Sequence, residues 1–150
     1  MPTDPEHLKR NKQAALDSFR IVTVSDSTLA ELIISPNCIN REAEDDPEDV
    51  ERNLQGPNGF IATSEWLRSA FTDLRFEFQE VVAEGDVVVV ASTMLGQHTG
   101  EFQHIAPTGN RISQKQVHVF RIGHDGKIVE HRAVRDDLSL MFQLGRHFSR

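Results

Sequence analysis

Between Pro5 and Val24 the apolar residues Leu8, Ala15, Leu16, Phe19 and Val22 recur near helical spacing, which predicts a helix over 5–24 with Pro5 in its first turn. "DSTLAELI" predicts a second helix capped by Ser27 and stopped by Pro36, and "NCINREA" then reads as a short strand. Helical spacing returns in "GPNGFIATSEWLRSAFTDL", where Phe60, Leu67, Ala70, Phe71 and Leu74 form one stripe with Trp66 beside it. From Leu74 the period becomes two. "RFEFQEVVAEGD" turns at "EGD" into "VVVVASTMLGQHTGEF"; "APTGN" turns into "RISQKQVHVFRIG", and "HDG" into "KIVEHRAV". Leucines at helical spacing after Asp136 and Asp137 predict a short last helix.

Helices first, then four consecutive antiparallel strands, give an α+β fold in a single domain over 1–150. A long meander curls because sheets twist, and helices laid over its concave face leave a conical cavity. Parity puts His118, Phe120 and Ile122 on one face of their strand and Met94, His98 and Phe102 on one face of theirs, unless a bulge near Gly96 shifts the register. Aromatics and histidines so placed fit a pocket wall, and they fit a plain core equally.

Charge adds one local feature. The net charge is −7, and seven of the 23 acidic residues lie in "EAEDDPEDVE" at 42–51, which reads as a solvated loop. Without a basic stripe no nucleic-acid partner is expected. The longest apolar run is "VVVVA" and the N-terminus carries no signal-like apolar region, so neither membrane spanning nor secretion is expected. The single cysteine, Cys38, permits no internal disulfide and suits a reducing, cytoplasmic location.

Chemistry narrows by elimination. No G-x-G-x-x-G, G-x-x-x-x-G-K-[ST] or G-x-S-x-G motif occurs, which sets aside nucleotide binding and serine-elbow hydrolysis. No H-E-x-x-H or C-x-x-C occurs, so no metal is expected. What remains is cofactor-free acid–base chemistry by carboxylates at Glu130, Asp136 and Asp137 and histidines at His98, His118 and His131. Either Asp136 or Asp137 could instead cap the last helix. The chain has no tyrosine, so an oxyanion donor would be a histidine, Trp66 or a backbone N–H.

The ordered pieces G-x-x-G-F, A-F-x-D-L, E-G-D-x-V, "GQHTGEF", P-T-G, F-R-I-x-x-D-G-K-I-V-E-H and Q-L-G, from Gly56 to Gly145, resemble the SnoaL-like polyketide cyclases, or predicted ester cyclases, of the nuclear-transport-factor-2-like superfamily. The resemblance implies a conical α+β barrel that forms a homodimer or homotetramer. It also implies an intramolecular aldol condensation, closing a polyketide ring without metal or cofactor, in which an aspartate at the last strand-to-helix junction shuttles the proton. The family's E-H-W followed three residues on by Asp maps onto Glu130, His131, Arg132 and Asp136, so Asp136 is expected in the cavity and Asp137 on the helix cap. Histidines recur in the family where this chain has His98 and His118. Arg132 replaces the family tryptophan, and Arg41 in "INRE" replaces a frequent histidine.

Together these readings expect an enzyme acting on a hydrophobic carbonyl compound or polyketide-like ester, with Asp136, His118 and His98 catalytic. Arg41, Phe60, Trp66, Phe71, Met94, Phe102, Phe120 and Arg132 are expected around the substrate. A hydrolase or isomerase acting on an epoxide or ester, and a non-catalytic binder of a hydrophobic ligand, are the competing functions. On a regular strand Glu130, Arg132, Val134 and Asp136 share a face, which would let Arg132 hold Asp136 ionised and leave the return proton to His118.

Overall fold

A computed structural model describes residues 4–41 and 55–147, so the acidic run at 42–51 lies outside the described residues. Helix α1, Pro5–Val24, begins where the Asp4 carboxylate accepts the N–H of Glu6 at 3.3 Å and Pro5 occupies the first turn. Helix α2, Ser27–Ile33, is capped by Asp26 and not by Ser27: the Asp26 carboxylate accepts the N–H of Leu29 at 2.9 Å, and Ser27 is already helical. The chain then enters β1, Ile34–Asn40, which contains Pro36. An edge strand tolerates a missing N–H, so the proline sits inside the strand.

Helix α3, Pro57–Ala70, is one turn shorter than its apolar stripe suggests. Phe71 and Leu74 continue the helical spacing, yet both lie in β2, Phe71–Glu84. Phe71 pairs with His98 across the sheet while its N–H still caps the helix on the Leu67 carbonyl. Tertiary pairing thereby overrides a local pattern that fitted both states. Strand β3, Val87–His98, ends before Phe102, which belongs to a separate bridge with Ile105. Strands β4, Arg111–Ile122, and β5, Ile128–Arg135, complete the meander, and α4, Asp137–Gln143, follows.

The sheet order is β1-β5-β4-β3-β2, so the expected antiparallel meander gains β1 as a parallel edge beside β5. The curved sheet stays unclosed, with β1 and β2 as its edges. Helices α1 and α3 pack on each other over its inner face. From α1, Phe19 reaches the rings of Phe76 and Phe120, which ties the helix to β2 and β4. Two apolar clusters result. One lies under α1 around Val88, Val90 and Ile128, and the other, around Leu67, Phe71 and Leu140, closes the end near α4.

One irregularity sets which β5 side chains point inward. Arg121 pairs with Glu130 but Ile122 with Ile128, so Val129 is an extra residue on β5. Beyond it Phe120 pairs with His131, His118 with Ala133 and Gln116 with Arg135. Directly opposed residues share a sheet face, so His131, Ala133 and Arg135 face inward and Glu130, Arg132 and Val134 face outward.

Candidate active site

Under α1 and α3 lies a cavity of about 510 Å³. Its helical wall is mostly apolar, with Phe19, Phe60, Trp66 and Leu67 beside Ser18 and Thr63, and Met94, Phe102 and Phe120 continue the apolar character from β3, the following loop and β4. The opposite wall is polar: Gln114, Gln116 and His118 follow one another on the inner face of β4, flanked by His131 and Arg135 of β5 and by Asp137 in the first turn of α4.

These groups form one hydrogen-bonded row. Gln114 Nε2 donates to Asp137 Oδ1 at 2.9 Å, and Gln116 Nε2 donates to Gln114 Oε1 at 2.9 Å. Gln116 Oε1 lies 2.7 Å from His118 Nε2, and His118 Nδ1 lies 2.9 Å from His131 Nε2. On its other side His131 Nδ1 lies 3.0 Å from the Asn40 side chain. Both imidazoles are buried and stacked on each other. Burial pushes His118 down to about 3 and holds His131 well below the ordinary imidazole value, the neighbouring His118 adding to the effect. Burial likewise lowers Arg135, while the negative charge of Asp137 works to raise it.

The two adjacent acids exchange the roles expected of them. Asp136 is the helix cap: its Oδ1 accepts the N–H of Ser139 at 3.0 Å, and its side chain is no part of the cavity wall. Asp137 is the acid that lines the cavity. The cause is the bulge at Val129, which turns the odd-numbered residues of β5 inward. Arg132 falls with Asp136 on the outer face and is exposed, so it cannot tune a cavity carboxylate.

His98 also lies away from the cavity. It is fully buried against Phe71, and its Nδ1 accepts the N–H of Thr108 at 3.2 Å and meets the Thr108 hydroxyl at 2.9 Å, which pins the loop after β3. Phe71 is 1 % exposed and belongs to the core behind Phe102, not to the wall. Arg41, Phe60, Trp66, Met94, Phe102, Phe120 and His118 do line the cavity. Arg41 stands at its rim with its Nε 3.1 Å from Glu130 Oε1.

Sequence reasoning passed over Gln114, Gln116 and Arg135, and named His131 without placing it. The glutamines were legible, since they alternate with His118 on one strand face. His131, Arg135 and Asp137 required the bulge. Cys38 is a buried core thiol pushed up to about 12 by desolvation and by the charge of Glu130, which leaves it inert as a nucleophile. Among the described residues no three His, Cys, Asp or Glu side chains converge to hold a metal ion, and no helix is long and apolar enough to cross a membrane.

The family model for SnoaL-like polyketide cyclases matches residues 16–144. The aklanonic acid methyl ester cyclase DnrD of Streptomyces peucetius is 37% identical over 102 residues, covering 66% of this chain and 70% of that protein. The nogalonic acid methyl ester cyclase of Streptomyces nogalater is 34% identical over 101 residues, covering 66% and 75%. A SnoaL-like polyketide cyclase structure from Jannaschia sp. CCS1 superposes with a TM-score of 0.79 at 20% identity over 99% of both chains, a likeness of fold.

Proposed function

Because this chain belongs to the SnoaL-like polyketide cyclase family, we propose that it closes a ring of a polyketide-derived ester by intramolecular aldol addition, with Asp137 as the proton shuttle. The ionised carboxylate takes a proton from a carbon activated by neighbouring carbonyls. The enolate carbon then attacks a ketone carbon within the same molecule, one C–C bond forms, and the new alkoxide receives the proton back from Asp137. Substrate and product are isomers, so the balance calls for no oxidant, reductant or cofactor. Arg135, beside Asp137, offers a cation to the developing oxyanion. The aromatic side chains of the helical wall offer a surface on which the rings pack, and the cavity volume suits a molecule of that class.

The observation that carries this reading is Asp137 itself: a solvent-exposed carboxylate where β5 meets α4 that also lines a cavity with one aromatic and one polar wall, held at one oxygen by Gln114. His118 and His131 are poor candidates for donor to the substrate, because both nitrogens of each ring are engaged within the row. The named relatives act on methyl esters of aklanonic and nogalonic acid, which are the substrates to try. Wild-type protein should convert one of them to its cyclised isomer, and Asp137→Asn should lower turnover by roughly two to four orders of magnitude. Turnover of neither ester, or an undiminished Asp137→Asn variant, overturns the assignment.

We further infer that the protein self-associates, as a homodimer or homotetramer, through the outer face of the sheet. Val117 and Val134 are direct cross-strand partners there, 43% and 77% exposed, with Val82 55% exposed on the same face. Apolar side chains concentrated on the uncovered side of a sheet favour a second layer. The single cysteine is compatible with a reducing, cytoplasmic location.

A further inference from the structure

The contact between the two imidazoles sets a proton count. His118 Nδ1 and His131 Nε2 are 2.9 Å apart, and a contact that short needs one proton between them. The outer nitrogens are equally constrained. If His118 Nε2 donates to Gln116 Oε1 and His131 Nδ1 donates to Asn40 Oδ1, two neutral rings have spent both their protons and two lone pairs face each other. An extra proton, making the pair a cation, would resolve this. The charged groups of the described residues speak against it: Arg41, paired with Glu130 at the rim, and Arg135 on β5 are cations, Asp137 is the one acid among the described lining residues, and α1 and α3 bring no charge to the wall. Both rings are also buried, which disfavours the imidazolium and agrees with the low value of His118.

Turning one amide end for end is the other resolution, since an amide keeps its shape when its O and N exchange. Asp137 decides which. As a carboxylate it only accepts, so Gln114 must give it Nε2, Gln114 Oε1 must then accept from Gln116 Nε2, and Gln116 Oε1 must accept from His118 Nε2–H. His118 Nδ1 is left to accept from His131 Nε2–H, and His131 Nδ1 must accept from the Asn40 amide nitrogen. Every link then has one donor and one acceptor.

We propose that Asn40, His131, His118, Gln116 and Gln114 are positioning residues for Asp137: a hydrogen-bonded row of fixed polarity, both rings neutral and protonated at Nε2, that presents an N–H to Oδ1 and leaves Oδ2 to carry the reaction's proton. The row gives Asp137 two unlike oxygens. Its catalytic meaning rests on Asp137 as the shuttle, whereas its polarity does not.

Histidine nitrogen NMR on the free protein at neutral pH tests the polarity without any substrate. Both rings should carry hydrogen on Nε2 and a bare Nδ1. A ring protonated at Nδ1, or a doubly protonated ring, overturns the proposal and leaves the shuttle assignment standing. Gln116→Met removes both ends of the central amide and keeps the length, which frees Gln114 to rotate. Because the lost contact positions the carboxylate and does not bind substrate, kcat should then fall while KM stays near its wild-type value. An undiminished kcat, or a loss carried by KM alone, would reduce the row to packing and overturn the positioning role. Should Gln116→Met not fold, the wild-type ring spectra decide alone.

Discussion

Acid should unfold this protein through its buried imidazoles, and His118 gives the magnitude. Its ordinary value of 6.5 is pushed down to about 3 in the fold, so between those limits the unfolded chain binds a proton that the native state refuses. The unfolded state gains protons as pH falls, so native stability is intact above 6.5 and is lost progressively from there down to about 3. At pH 5 the difference amounts to about 1.5 pH units of proton binding, or about 2 kcal/mol. His131 is shifted the same way and adds to the loss. Urea unfolding at pH 7 and pH 5, in the wild type and in His118→Gln, isolates the His118 share, because the surface carboxylates titrate alike in both. The wild type should lose about 2 kcal/mol more than the variant between the two pH values. Equal losses would mean that His118 is protonated, or reaches water, in the native state, and the neutral row would fall with it.

The adjacent aspartates should separate cleanly: Asp136→Asn keeps a good N-cap and should leave both stability and turnover near wild type, whereas Asp136→Ala should cost about 0.5–2 kcal/mol in urea unfolding with the chemistry intact. A large turnover loss in Asp136→Asn would return the shuttle to that residue. Gly100→Ala should destabilise by about 1–3 kcal/mol, because the added Cβ would press into the Ser69 carbonyl where the loop after β3 closes on α3 through the Gly100 N–H to Ala70 O bond of 2.9 Å; an unchanged melting temperature would show that the loop can move away. Val134→Asp should reduce the oligomer to a 16.9 kDa monomer in light scattering, and a wild type that is itself monomeric at high micromolar concentration would remove the outer-face interface.

Much of this was already legible in the chain. Helix α1 follows from spacing and from Pro5; β3, β4 and their turns follow from strict alternation, and the same alternation put His118, Phe120 and Met94 on the cavity side. These are local periodicities, and a periodic signal survives as long as the element stays regular. The end of α3 was not legible, since Phe71 and Leu74 satisfy both periods and only pairing with β3 chooses the strand. Nor was β1 as a parallel partner of β5, a contact between residues some ninety positions apart.

The site divides along the same line. The sequence determined that two acids stand at the last strand-to-helix junction, behind a face that carries His118, and the family resemblance supplied the chemistry. It could not determine which acid lines the cavity, because side-chain direction in a strand has period two and one extra residue inverts everything after it. Val129 is that residue, and nothing in its own side chain announces it. Only the cross-strand register of β5 on β4 turned His131, Arg135 and Asp137 inward and Arg132 and Asp136 outward, and with them decided which side chains line the cavity.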